Sequence, residues 1–399
     1  MSRTIFGIIL LILAAVPAYF IVFCVIAVCR KVNTYPVSSV KHKMAVLIPA
    51  RNEETVIGNL VQSFMKQDYP AEAREVYVLV NHCKDRTEEI AVANGAKVIH
   101  CENSYTKGEV LQVTFDQLQE DASIEAYVVM DADNLADPQF LSKMNDAFNA
   151  GYSLIQGRRT GKNVHSWISK CYEVFYIMQN IFFNHARCST GESASFNGTA
   201  WLISRSYLRK HGYQTYTITE DIELMAIAAM QKERVGYVHE AVAYDEYPES
   251  LRVSARQLDR WIFGQVQCMR RYSGKLLSTF LKNHYEPCLD MGLIFTMPVI
   301  IVVFTIVFIL WMCSVPAAAS VVGRYFLRIL LDLYLFMILM MSAAVLKNHS
   351  SWLELLPGIL LFPIFVIIWL VLLPVNLFRR DMAWKPVEHN VCSKIEDMK

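Results

Sequence analysis

Ala126-Tyr-Val-Val-Met-Asp-Ala-Asp133 joins an apolar run, rich in β-branched and aromatic residues, to two carboxylates one residue apart. Such a run reads as a buried strand that carries Asp131 to its C-terminal end. Toward the N-terminus the same kind of run recurs at Met44-Ala-Val-Leu-Ile-Pro49, Glu75-Val-Tyr-Val-Leu-Val80 and Lys97-Val-Ile-His100. Between and after them the pattern predicts helices over 53–67, from Asp85, and over about 107–119. Alternating strands and helices make an α/β domain with a parallel sheet flanked by helices. Ligands of such sheets lie beyond the C-terminal strand ends, where Asn52, Asn81 and Asp131 fall.

This domain, about 37–285, lies between apolar segments. Hydrophobic residues make up 54% of the 399 and the mean hydropathy is +0.28, more than an ordinary soluble domain carries. Residues 5–29 hold no charge and are followed by Arg30-Lys31, the pattern of a spanning helix with its basic end in the cytoplasm. A cleaved signal peptide is the competing reading; the run is too long for it and no small-residue cleavage site follows before Arg30. Three further candidate spans fall near 291–312, 321–346 and 355–378, giving an α-helical transmembrane region of four candidate crossings. Arg324, Arg328 and Asp332 share one helix face, which should look into protein, water or headgroups. Pro357, Pro363 and Pro374 argue for a kinked or partly re-entrant last segment. Four full crossings would put the C-terminus outside, whereas Arg379-Arg380 and Lys385 favour a cytoplasmic tail.

The net charge of +1 carries no nucleic-acid signal. The ten cysteines include no Cys-x-x-Cys pair and indicate neither zinc nor a disulfide framework. Two aspartates at a strand end can share a hard cation, Mg²⁺ or Mn²⁺, of the kind that neutralises a departing diphosphate. In isolation, Asp131-Ala-Asp133 would more often be an acidic loop; its place after an apolar strand and before a helix near Pro138 favours the cation. Thr219-Glu220-Asp221 opens an amphipathic stretch, so Thr219 reads as a helix cap with acids favoured by the dipole. A carboxylate fixed there also suits a general base, a role assigned to Asp221. In Gln257-Leu-Asp-Arg260-Trp261, within a helix over 254–272, Gln257, Arg260, Trp261 and Gly264 share a face. An amphipathic interfacial helix with snorkelling arginines accounts for that pattern about as well as a pyrophosphate-binding Arg260 and a sugar-stacking Trp261.

Residues 44–275 resemble the family 2 processive membrane glycosyltransferases of GT-A fold, the group of cellulose, chitin and hyaluronan synthases, which implies a GT-A-type mixed, mostly parallel sheet flanked by helices. The resemblance rests on Ile48-Pro-Ala-Arg-Asn-Glu-Glu54, Gln67-Asp-Tyr-Pro70, Lys107-Gly108, Asp131-Ala-Asp133, Thr219-Glu-Asp221 and Gln257-Leu-Asp-Arg-Trp261, all in the family's order. It implies a uridine cradle at Ala50, Asn52, Glu53 and Asn81. Where the family usually carries an acid this chain has the neutral Asn81, so uracil recognition uses an amide or shifts to Asp85. It also implies Lys107 near the diphosphate, Asp133 as the firmer metal ligand beside Asp131, and Glu220 at the substrate. Gly191-Glu-Ser-Ala-Ser-Phe-Asn-Gly-Thr-Ala200 is rich in small residues; by resemblance Asn197 and Gly198 belong to the acceptor site. Trp384-Lys-Pro-Val-Glu-His389 occupies the place of a gating loop in cellulose synthases.

The resulting division is an anchor at 1–36, a cytosolic GT-A domain at 37–250, and amphipathic interfacial helices at 251–288. Transmembrane helices follow at 289–378 and a cytosolic tail at 379–399. The expected activity is inverting transfer from a UDP-sugar, glucose or N-acetylglucosamine, by an integral plasma membrane protein with its catalytic domain in the cytoplasm. The acceptor is a growing polysaccharide, secreted through the membrane helices, or alternatively a lipid in the bilayer. Accessory secretion subunits are left open.

Overall fold

The computed structural model describes residues 3–314, 316–382 and 391–398, so the stretch Trp384–His389 lies outside the described residues. Helix α1 (Arg3–Cys29) leads to β1 (Met44–Ala50), α2 (Ile57–Met65), β2 (Arg74–Val80), α3 (Thr87–Ala93), β3 (Lys97–His100), α4 (Lys107–Leu118) and β4 (Ala126–Val129). Then come β5 (Leu135–Ala136), α5 (Phe140–Asn149), β6 (Leu154–Gly161) and α6 (Trp167–Met178). A π-helical segment, Gln179–His185, carries α6 into α7 (Ala186–Thr190). The domain closes with β7 (Trp201–Ser204), α8 (Arg205–His211), α9 (Glu220–Met230) and β8 (Val235–Asp245). Four long helices end the chain: α10 (Leu251–Asn283), α11 (Glu286–Ser314), α12 (Pro316–Lys347) and α13 (Trp352–Phe378).

The sheet order is β3-β2-β1-β4-β7-β6-β8-β5. Pairings β1–β2, β1–β4, β2–β3 and β6–β8 are parallel, whereas those of β7 with β4 and β6, and of β5 with β8, are antiparallel. The mixed sheet expected from the sequence is therefore present, with its parallel half formed by the four strands legible as apolar runs. Side chains alternate across it, as a two-residue period requires. Leu47, Leu79, Tyr127, Val129, Trp201 and Ile203 face one core, and Ile48, Val78, Val128 and Leu202 face the other. The first core continues through Cys268, Tyr272 and Leu276 of α10 to Met291 and Phe295 of α11, so the sheet domain and the apolar helices share one packed interior.

Helix α4 begins at a capping box, with Thr106 accepting from Glu109 N and the Glu109 side chain reaching back. Helix α2 is shorter than the expected 53–67, and Glu53 lies outside it, its N–H donated to Thr87 Oγ1 at 2.8 Å. Helix α10 exceeds the predicted 254–272; Ser250 caps it by accepting from Val253 N, and it ends at left-handed His284. Helix α13 runs as one helix through Pro357, Pro363 and Pro374. Its packing helps to explain that: a Cβ on Gly358 would lie 2.6 Å from the Lys170 carbonyl, so α6 and α13 are in backbone contact.

Among the described residues, Gly323–Lys347 and Trp352–Phe378 are long and apolar enough to cross a bilayer. Glu286–Met297 and Val299–Cys313 make a third span if taken together, bent by 57°, and Ala14–Cys29 is a shorter apolar helix. The charged face of α12 is exposed, and Arg328 and Asp332 pair with each other at 3.0 Å.

Candidate active site

A cavity of about 690 Å³ opens at the C-terminal ends of β1, β2 and β4. Ala50, Glu53, Asn81, Lys107, Asp131, Asp133, Asn197, Gly198, Glu220, Asp221, Gln257, Arg260 and Trp261 all line it. Two predicted residues do not. Asn52, at φ 60, uses its Oδ1 to accept from Lys84 N at 2.8 Å. Asp85 accepts from Glu54 N and Thr87 N, each at 3.1 Å, and from Thr87 Oγ1 at 2.5 Å, fixing the start of α3. Asn81 donates from Nδ2 to the carbonyls of Cys101 and Ser104, both at 2.7 Å, which holds the loop before α4 and directs amide chemistry at the cavity.

Lys107, in the first turn of α4, meets Asp131 Oδ1 at 2.6 Å, the Gly198 carbonyl at 2.6 Å and Glu220 Oε1 at 3.2 Å. Burial opposes its charge, but Asp131, Glu220 and Asp221 outweigh that and hold its pKa above the usual lysine value. Glycine permits this meeting. A Cβ on Gly108 would lie 2.3 Å from Thr215 Oγ1, so a larger residue would push α4 away from the loop before α9. Gly198, at φ +84, turns the small-residue loop so that its Cβ position lies 3.9 Å from Asp131 Oδ2 and 3.8 Å from Asp221 Oδ2. The two carboxylates thus flank one point of the cavity. Burial, then the charge of Glu220, pushes the Asp221 carboxyl up to about 7.

Asp221 is held by α10. Thr219 makes no side-chain cap on α9, contrary to the sequence reading. It instead abuts Gly264, whose Cβ would come within 2.3 Å of Thr219 Cγ2. Ile218 N donates to Gln267 Oε1 at 3.2 Å, and Tyr272 donates its hydroxyl to Glu223. Glu223 also accepts from Tyr216 N and Thr217 N at 2.7 Å, fixing the turn before Asp221. On the next face of α10, Asp259 is taken by Asn376 at 2.7 Å and Arg379 at 2.9 Å. Arg260 lines the cavity and has no salt-bridge partner among the described residues. Trp261 stacks on Phe175 (centroids 6.4 Å, 21°) and meets Tyr172 and Tyr176 edge-on. Gln257 Oε1 and Asn197 Nδ2 are buried there without a hydrogen-bond partner among the described residues.

For a divalent cation the donor set is two carboxylates, Asp131 and Asp133, on one cavity wall. No group of three or more His, Cys, Asp or Glu suited to a metal occurs among the described residues. That set fits Mg²⁺ or Mn²⁺, which are held by one or two carboxylates while substrate phosphates and water complete the shell. It does not fit a stand-alone protein cage.

Several residues of the cavity escaped sequence reasoning. Arg159 donates to Asp245 (Nε at 2.7 Å) and to the Asn197 carbonyl at 2.8 Å, and lies 4.3 Å over Tyr176. Asp245 also accepts from Asn134 at 2.6 Å, next to Asp133. It ends an apolar strand, the signal that singles out Asp131, and that signal would have found it. Lys162 bridges the carbonyls of Asp133 (2.8 Å) and Val391 (2.9 Å), bringing the chain's last described segment beside the aspartate pair. Phe20, Phe182, Phe183, Phe295 and Trp369 also line the cavity, together with the buried Arg187, whose guanidinium lies 3.6 Å over the Phe183 ring and pairs with Asp290 at 2.7 Å.

A family model described as "Glycosyltransferase like family 2" matches residues 42–264. The chain is 24% identical to "Probable glycosyltransferase YdaM" of Bacillus subtilis over 240 residues, 58% of this chain and 57% of that protein. It is also 24% identical over 241 residues to "Beta-monoglucosyldiacylglycerol synthase" of Synechocystis, 56% of this chain and 48% of that one. The chain thus spans about half the length of these curated relatives. In structure it is similar to the mannosyltransferase PcManGT of Pyrobaculum calidifontis, solved with GDP-Man and Mn²⁺, at TM-score 0.59 and 16% identity. That likeness covers 86% of this chain and 99% of the other, and extends the shared fold beyond the sheet domain.

Proposed function

Since this chain belongs to glycosyltransferase family 2, we propose that it moves one hexosyl group, with inversion, from a UDP-sugar to the hydroxyl of a membrane lipid. The single observation that carries this reading is the composition of one cavity. Asp131 and Asp221 flank one point, and phenylalanines and Trp369 line the same cavity, with the one cation among them, Arg187, neutralised by Asp290 at 2.7 Å. The sequence puts the growing polysaccharide first and the lipid second; this aromatic lining supports the reverse order.

In the proposed reaction Asp221 accepts the proton of the acceptor hydroxyl, whose oxygen attacks the anomeric carbon from the face opposite the diphosphate. The bond between that carbon and the diphosphate oxygen breaks, and its electron pair leaves with UDP. Mg²⁺ or Mn²⁺ held by Asp131 and Asp133 would offset the charge of the departing diphosphate. Lys107, held by Glu220, and Arg260 are cations of the chain itself assigned to that position. Asn81 serves the uracil, with Ala50 and Glu53 beside it, and Trp261 offers a face to a sugar ring. Glucose and N-acetylglucosamine are the proposed sugars. The catalytic domain is assigned to the cytoplasmic side of the plasma membrane on the strength of Arg30-Lys31 and Arg379-Arg380.

The test is the product made by purified protein in vesicles supplied with radiolabelled UDP-glucose or UDP-N-acetylglucosamine and Mg²⁺. Label extracted with organic solvent as a singly glycosylated lipid is the expected result. Label retained as a long, solvent-insoluble chain would replace it with the processive reading.

A further inference from the structure

A second cavity, of about 190 Å³, lies among the membrane helices and is lined by Ile21, Cys24, Met178, Phe182, Met337 and Met340, among others. It presents no polar surface. Cys24, Met178 and Phe182 line this cavity and the catalytic one alike, so the two are separated by no more than shared side chains. We propose that this cavity is a lateral binding site for the hydrocarbon chain of the acceptor, through which the chain passes from the catalytic centre to the bilayer. The inference rests on the lipid acceptor reading above and adds the path.

Three features identify the occupant as a chain of methylene groups. The cavity is as large as engineered apolar cavities of roughly 150 Å³ that stay dry and admit benzene-sized guests. Its wall is partly made of thioethers, with Met178 from α6 facing Met337, Met340 and Met341 from α12. Methionine has three rotatable bonds and a polarisable sulfur, and so adapts to a guest with many conformations. The cavity also borders the exterior at bilayer depth, because Ile21 of α1 and Phe336 of α12 line it and are each 44% exposed. The π-helical segment supplies the turn of geometry required. By widening the helix between Gln179 and His185 it presents Phe182 to both cavities and Phe183 to the catalytic one. A chain lying here leaves its polar end near Phe175, Trp261 and Asp221, where the catalytic cavity becomes polar.

Met340 lines the lateral cavity and is absent from the wall of the catalytic one, which makes it the residue to change. The full-length protein in detergent micelles is assayed with dioleoylglycerol and dioctanoylglycerol as paired acceptors. Met340→Trp is expected to lower the ratio of long-chain to short-chain transfer about tenfold, the loss of roughly two buried methylenes. Met340→Ala, which enlarges the space, should leave that ratio at or above the wild-type value. An unchanged ratio in Met340→Trp that still binds UDP overturns the inference.

A second arm needs no acceptor activity. A fatty acid bearing a terminal diazirine is photolysed with the protein and the adducts are mapped by mass spectrometry. Adducts at Met178, Phe182 or Met337–Met341, reduced in Met340→Trp, support the site. Adducts confined to outward residues such as Leu335 and Leu339, or to a contact with a second copy of the chain, overturn it. Wild-type protein that makes polymer and glycosylates no lipid, yet shows the inner adducts, would sink the acceptor reading alone.

Discussion

Lys107 Nζ and Asp131 Oδ1 lie 2.6 Å apart and tie the first turn of α4 to the end of β4. Glu220 shares the same ammonium at 3.2 Å, so one cation holds together acids from two separate motifs. Lys107→Ala leaves Asp131, Glu220 and Asp221 facing one another without it. The expected effect is a fall of about 100-fold in kcat, as for removal of one preorganised charge donor. The pair is a quarter to a third exposed, so the thermal midpoint should move by only a few degrees, about what 1 kcal/mol does to a domain of this size. Steady-state kinetics and calorimetry on the same preparation check both.

Asp221→Asn keeps the shape and removes the base. Turnover should drop by about 1,000-fold, while UDP binding, measured by calorimetry, stays within threefold or so of the wild type, since a lost proton acceptor acts on chemistry and not on nucleotide affinity. Equal turnover in the two proteins would remove Asp221 from the mechanism.

The pH profile follows from the same residue. A base must be deprotonated to work, and burial with Glu220 raises this one, so activity is lost as pH falls through its pKa. The acid limb should lie above the ordinary aspartate value of about 3.9, toward about 7. A limb at the ordinary value would deny the influence of Glu220. Glu220→Gln should shift the limb to lower pH.

Gly264→Ala tests how α10 positions the base. Its Cβ would meet Thr219 Cγ2 at 2.3 Å, and the clash can be relieved by moving either α10 or the turn that carries Asp221. Overpacking of this kind costs about 1–3 kcal/mol. The expected signature is a lower thermal midpoint together with a lower kcat and a KM for UDP-sugar near the wild-type value.

Asp133→Asn should raise the Mg²⁺ or Mn²⁺ concentration needed for half-maximal rate by tenfold or more, because a two-carboxylate donor set has none to spare. Chelation should abolish the wild-type rate, and titration of either cation should restore it.

The four parallel strands and the residues at their ends were legible in the chain because apolar runs, and the acids that stop them, are local patterns. The same holds for Asp131, Asp133 and Asp221, which end a strand or open a helix, whereas Lys107 entered only through the family resemblance. Arg159 was not legible. A guanidinium inside an eight-residue strand has no meaning until β6 pairs with β8 and brings Asp245 to it. Glu223 likewise reads as one more acid in the first turn of α9, and only the fold gives it Tyr216, Thr217 and Tyr272.

Sequence alone determined the alternation of strands and helices, the identity of the charged groups and the presence of apolar helices, since periodicity and composition act over a few neighbouring residues. Tertiary structure decided which of those groups meet. The approach of Lys107 to Glu220, the capture of Asp259 by Asn376 and Arg379, and the joining of a polar site to an apolar chamber all depend on contacts between residues far apart in the chain. Close approach at Gly108, Gly198 and Gly264 makes those contacts possible, and it is set by packing of whole elements and not by any local run of residues.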